Sequence, residues 1–321
     1  MKTKLILDLD TGIDDALAIA FALGYDAKEI DIIGVTTSFG NVTLENATKN
    51  SLNLLELLGR SDIPVFAGAA NPWGTTIAYE PSPHLFRIHG DNGIGNVELG
   101  EPQRHPSQQN AVDFIIESAQ KYGGHLILYT AGPMTNLAEA IKQDKAAIQN
   151  ISKIVSMASA LTVPGNVNEF AEANIHRDPQ AAKYVFESDV QMTLVGLDVT
   201  MKTMIKGSDI SSWHPIETKA SQAITELTTY YYTNEFDDEA IGGAMHDPLA
   251  IEVALNPSIV KETLKANLTV VTEGVATGRT TGNLSLLNRE FKNTTVCLDV
   301  DSELFTQRFI EKVAKVLAQA N

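Results

Sequence analysis

The stretch KLILDLDTGIDDALAIAFALG, residues 4–24, decides how the chain folds. Its opening, KLILDL, is short and apolar, as a buried strand should be. Its close, DDALAIAFAL, is rich in alanine and leucine and stops at Gly24, which reads as a helix ended by glycine. Asp8, Asp10, Asp14 and Asp15 therefore crowd into a strand-to-helix turn. Like charges repel, and desolvating them at the end of a buried strand adds to the cost. The turn needs a cation or strong hydrogen-bond donors.

Working outward, the same alternation repeats. Strands are expected at IDIIGVTTS (residues 30–38), IPVFAG, HLILYT, KIVSMA and QMTLVGL, and TTVCLDV near the C-terminus is a further one. Between them, residues 44–58 carry apolar groups at helical spacing before Gly59, and helices are expected at about 107–122, 134–142 and 179–187. Short apolar runs between amphipathic helices imply an α/β fold, an open and mainly parallel sheet with helices on both faces. No repeat, low-complexity tract or linker divides the chain. It reads as one domain over residues 1–321, with insertions near 71–106 and 205–243.

Composition limits the function classes. With 321 residues, 44% of them hydrophobic, a large core needs no staples. Lys+Arg 24 against Asp+Glu 40 gives a net charge of -16, which disfavours attraction to nucleic-acid phosphates. Neither a signal-peptide apolar region nor a membrane-spanning run is recognisable, so a soluble cytoplasmic protein is expected. Cys297 is the only cysteine, which excludes an internal disulfide framework; within TTVCLDV it reads as a small buried hydrophobe.

Ligands of open parallel sheets gather beyond the carboxyl ends of the strands, and those positions are rich in polar groups. After the first strand come the four aspartates, after the second Gly40-Asn41, and after HLILYT comes Ala131-Gly132-Pro133. GNVNEFAEAN adds Asn166, Asn168, Glu172 and Asn174; AMHDP adds His246 and Asp247. Each has a plain alternative. Asp14 and Asp15 suit a helix N-terminus, Asn41 a turn, and Asp247 a cap before Pro248. Capping does not account for Asp8 and Asp10. Oxygen-only carboxylate ligation suits a hard cation, calcium or magnesium. An EF-hand does not fit, since Gly12 and Ile19 fall at loop positions five and twelve if Asp8 is position one.

DLDTGIDDALAI is similar to the signature DxDxGxDD of the inosine-uridine type nucleoside hydrolases. GNVT, HGDNGIG, AGPMTNLA, GNVNEFAEANIHRDP and HDPLAI follow in that family's order, to about residue 255. The resemblance implies the family's fold, and hydrolysis of a ribonucleoside to ribose and free base with a bound calcium. It implies Asp10, Asp15, Asp247 and the carbonyl of Ala131 as calcium ligands, Asp10 as the base for the attacking water and Asp8 as a carboxylate orienting them. Asp14, Asn41, Asn166, Glu172 and Asn174 resemble ribose contacts. His246 stands where one family group uses histidine to protonate the leaving base. His89, in HGDNGIG, either approaches the base or caps a loop whose glycines would suit a lid. A homodimer or homotetramer is implied as well. One departure is Met157-Ala158-Ser159 where many relatives have MGG, which bears on the base pocket; the aromatics Tyr230 to Tyr232 would either stack on a base or pack inward.

Two other classes share parts of this pattern. A magnesium-dependent phosphohydrolase of the haloacid dehalogenase type also begins with a strand ending in DxD, but its glycine-then-threonine order is inverted in Thr11-Gly12, and its later motifs are not recognisable. A non-catalytic nucleoside or ribose-binding protein would use the ribose contacts without needing Asp10 or His246.

Overall fold

The structure is a computed structural model and describes residues 2–236 and 242–320. Its strands are β1 (Thr3–Leu9), β2 (Ile30–Thr37), β3 (Val65–Ala67), β4 (Leu126–Thr130), β5 (Lys153–Met157), β6 (Met192–Val195), β7 (Met204–Ile205), β8 (Gly243–Ala244), β9 (Val260–Ala266), β10 (Leu268–Val270), β11 (Thr280–Gly282) and β12 (Thr294–Val300). Eight of them form one sheet in the order β3-β2-β1-β4-β5-β6-β12-β9. Every pairing in it is parallel except β12 with β9. The pairs β7-β8 and β10-β11 are small antiparallel additions. The expected α/β architecture is therefore present.

The helices are α1 (Ile13–Leu23), α2 (Leu44–Leu57), α3 (Pro83–His89), α4 (Ala111–Tyr122), α5 (Thr135–Gln149), α6 (Ala173–Arg177), α7 (Pro179–Phe186), α8 (Leu197–Thr200), α9 (Lys219–Asn234), α10 (His246–Leu255) and α11 (Ser302–Gln319). Two differ from the sequence reading for local reasons. Helix α4 starts at Ala111 rather than near residue 107, because the Asn110 side chain accepts the Asp113 N–H at 2.9 Å and caps it. Helix α5 continues past Lys142, because Asp144 leaves helical geometry (φ -146°, ψ 76°) and accepts the Ala147 N–H, starting a second helical segment. Of the two expected insertions, residues 71–106 carry α3 and residues 205–243 carry α9; residues 237–241 lie outside the described residues. Among the described residues no helix is long and apolar enough to cross a membrane.

The two-residue period of a strand sends alternate side chains to opposite faces. In β1, Leu5, Leu7 and Leu9 enter one core with α1, α10 and α11, while Ile6 enters the other with α4, α5 and α7. Asp8 shares the parity of Ile6 and faces α5. The chain runs outward from β1 to β2 and β3, then returns to β4 on the other side of β1. That reversal opens a crevice beyond the carboxyl ends of β1 and β4, where ligands of such sheets bind.

Candidate active site

Asp10 follows β1 into this crevice, and Ala131 follows β4. Helices α1 and α10 pack together and bring Asp14, Asp15 and Asp247 into their first turns. The partial positive charge of a helix N-terminus favours carboxylates there, and the Asp15 carboxylate also accepts the Gly12 N–H at 2.8 Å. These plain roles leave much unpaired. Oxygens from Asp14, Asp15 and Asp247 lie within 4.8 Å of one another, and all three residues are buried. One oxygen of Asp15 and both of Asp247 have no hydrogen-bond partner among the described residues.

Such orphans are costly, and burial raises their proton affinity. Asp15 and Asp247 are held well above the usual carboxylate range by desolvation first and then by acidic neighbours, Asp10 and Asp14 for Asp15, and Asp14, Asp15 and Asp10 for Asp247. Burial also lifts Asp8 to about 6 and Asp10 to about 7; for Asp10 the Arg177 guanidinium opposes the rise. An oxygen-lined cluster of this kind fits a hard divalent cation, which would neutralise several carboxylates at once. The carbonyl of Ala131 receives the Asn174 side-chain amide at 3.1 Å and keeps a second lone pair.

Asp10 itself is held by donors. One oxygen accepts the Asn41 N–H at 2.7 Å and Arg177 at 3.1 Å, and the other accepts the Asn41 amide at 3.0 Å. The backbone at Gly40 makes this approach possible, since a Cβ there would lie 1.8 Å from the Asp10 carboxylate. Asp8 sits beneath the crevice, on the α5 face, and accepts Thr36 Oγ1 at 2.6 Å and Asn136 at 2.8 Å.

The other expected contacts divide. Asn41 joins the cluster, bridging Asp10, Asp15 and Arg177. Glu172 caps α6, accepting the N–H groups of Asn174, Ile175 and Ser159, so its carboxylate organises the loop after β5. Asn174 is buried and holds the carbonyls of Ala131 and Met157. Asn166 is exposed and accepts the Ala173 N–H, bracing the same loop from outside.

His89 is buried, and its Nδ1 accepts the Ile13 N–H at 3.2 Å, at the start of α1. Burial, with Arg177 and His246 nearby, pushes it down to about 3, so it is neutral. The loop behind it is fastened: Asn50 donates to the carbonyls of Thr11 and Asn92. His246 is engaged at both ring nitrogens, Nδ1 with Thr200 Oγ1 at 2.7 Å and Nε2 with Glu235 at 3.1 Å. Burial lowers its proton affinity, but the Glu235 hydrogen bond and the charges of Glu235, Asp14 and Glu172 leave it raised overall. Tyr231 packs inward beside His89, with ring centroids 6.0 Å apart.

Sequence reasoning missed Arg177, Glu235, Thr200 and Ser159. Ser159 stands after β5 at φ +87°, a conformation that L side chains rarely adopt, with a buried hydroxyl that has no partner among the described residues. The MGG departure was the only sign of it.

Fold and site together define a doubly wound α/β protein whose carboxylates converge at the sheet's switch point. A family model described as "Inosine-uridine preferring nucleoside hydrolase" matches residues 5–307. The chain belongs to this family, and as a nucleoside hydrolase it is an N-glycosyl hydrolase. It is 36% identical to uridine nucleosidase 1 of Arabidopsis thaliana over 278 residues, 86% of this chain and 81% of that one. It is 32% identical to the pyrimidine-specific ribonucleoside hydrolase RihA of Salmonella gallinarum over 316 residues, 98% and 99% of the two chains. Its structure is similar to that of a purine-preferring ribonucleoside hydrolase from Gardnerella vaginalis, with a TM-score of 0.94 and 41% identity over 99% of this chain and 100% of that one.

Proposed function

We propose that the chain is a calcium-dependent ribonucleoside hydrolase of nucleoside salvage, a cytoplasmic homodimer or homotetramer with one catalytic domain over residues 1–321. The insertions near 71–106 and 205–243 would shape its base pocket. The observation that carries this reading is the buried cluster of Asp14, Asp15 and Asp247 with unpaired oxygens, beside Asp10 at the switch point. Asp10, Asp15, Asp247 and the Ala131 carbonyl would hold the calcium ion. When bound, the ion acidifies a water molecule and fixes its direction of approach.

The chain's own groups supply the rest. Asp10, braced by Asn41, accepts the proton of the attacking water. Asp14, Asn41, Asn166, Glu172 and Asn174 are assigned to the ribose hydroxyls, holding the sugar toward the flattened, oxocarbenium-like geometry of glycoside hydrolysis. His246, whose proton affinity is raised, supplies a proton from Nε2 to the departing base nitrogen, exchanging its Glu235 contact for the base. His89, held neutral, lines the same side. Asp8 steadies the turn from below. The relatives' names include both pyrimidine and purine preferences, so the substrate class proposed is the ribonucleoside with either base.

The test is a panel of common ribonucleosides scored for reducing sugar, with deoxyribonucleosides as controls and with calcium or chelator present. Ribose release that needs calcium and the 2′-hydroxyl supports the reading. Phosphate release from phosphomonoesters would favour a phosphohydrolase, and binding without ribose release would favour a binding protein.

A further inference from the structure

Among the described residues of the crevice, Arg177 brings a permanent positive charge in among carboxylates. It is a fixed positive charge in a site that develops positive charge on the sugar, so it should disfavour the reaction unless its role lies elsewhere. Its contacts indicate where. Nη1 donates to Asp10 at 3.1 Å and to the Asn174 side-chain oxygen at 3.0 Å, and Nη2 donates to the Asn41 side-chain oxygen at 2.9 Å. Its side chain is 9% exposed.

We propose that Arg177 is the positioning residue of the reaction, a planar guanidinium that locks the base Asp10, Asn41 after β2 and Asn174 of α6 into one rigid unit. Each partner passes the restraint on. Asn41 donates onward to Asp15 at 3.2 Å, and Asn174 donates onward to the Ala131 carbonyl. One guanidinium thus reaches the strand-end segments after β1, β2, β4 and β5. Lysine, a point charge without a fixed fork, could not hold three acceptors in these directions.

The anchorage of Arg177 is stiff. Helix α6 starts at the Glu172 cap, and immediately after Arg177 the Asp178 carboxylate caps α7 through the Ala181 N–H while also accepting the Trp73 N–H at 2.7 Å and Thr135 Oγ1 at 2.6 Å. Little backbone freedom remains between two caps so close together, so the ordering cost that opposes the three hydrogen bonds is mainly that of the arginine side chain itself. Because Arg177 neutralises the Asp10 carboxylate it touches, its charge is offset before it reaches the sugar.

This inference rests on the hydrolase reading above, and the test separates the two. R177K and R177M are compared with the wild-type protein for ribose release from inosine, uridine and a 4-nitrophenyl riboside, whose leaving group needs no proton. Misplacing a reacting group by about 1 Å can cost about 100-fold. Accordingly kcat should fall about 100-fold in R177M and about 10-fold in R177K, with KM rising by a smaller factor than kcat falls, because Asn41 and Asn174 also hold the ribose. The loss should be equal for all three substrates, because Arg177 acts through the base Asp10 and the contacts to the ribose that all three share, and not on the leaving group. Should R177M not fold, R177K decides. A kcat in R177K within about twofold of wild type, or a loss confined to KM, overturns the proposal. A wild-type protein that releases no ribose removes the hydrolase reading itself.

Discussion

At the scale of single residues, the site divides attack from departure. Asp10→Asn keeps the side-chain shape but cannot take a proton, so kcat should fall about 1,000-fold while the protein remains folded; near-normal turnover would remove Asp10 as base. His246→Ala should slow inosine and uridine far more than a 4-nitrophenyl riboside, and equal losses would argue against an acid role. Ser159 permits a stability prediction. Glycine tolerates φ +87° freely, so Ser159→Gly should stabilise the fold by about 1 kcal/mol in urea unfolding, offset in part by the entropy that glycine adds to the unfolded chain. The aspartates after the first strand stood out because charge at the end of an apolar run is conspicuous, whereas His246 stood out only through its place before Asp247 in a family motif. Arg177 did not, since an arginine before Asp-Pro looks like an ordinary surface residue and its partner Asp10 lies 167 positions away.

At the scale of elements, the first strand and helix were readable because one is a short apolar run and the other is rich in alanine and leucine and is ended by Gly24. The parallel strands of the sheet centre were equally plain as apolar runs. What escaped was governed by single polar side chains or by charge. Asn110 sets the start of α4, and replacing it by alanine should cost about 1 kcal/mol in urea unfolding with kcat unchanged; a neutral result would mean that packing alone fixes the helix start. Strand β9, VKETLKA, offers no clean alternation and lies mostly exposed, so nothing in its composition marks it as part of the sheet. Its position is fixed by pairing with β12, a long-range contact that composition does not encode.

At the scale of the whole molecule, cation and protons compete for the same carboxylates. Without a cation, burial raises the folded-state pKa of Asp10 to about 7 and holds Asp15 and Asp247 well above ordinary aspartate values; Asp8, beneath the ion site, is lifted to about 6 as well but is not a ligand. A raised carboxylate supports the fold while protonated, and that support fades as pH climbs from about 4 through 6 to 7. The cation-free protein should therefore weaken as pH rises over this window, and calcium should compensate most at its upper end. Measured by calorimetry, the gap in thermal midpoint between calcium-loaded and chelated protein should widen from pH 5 to pH 8. A constant gap would mean that Asp10, Asp15 and Asp247 do not hold the ion.

The free margin of the sheet has a separate consequence for self-association. Strand β9 closes one side of the sheet with Lys261, Glu262 and Lys265 along its exposed length. A second molecule docking its own margin there would bring identical charges into register and strand them away from water. Growth of the sheet from one molecule into the next is thereby discouraged, and the protein should resist fibril formation at concentrations where a bare strand would polymerise.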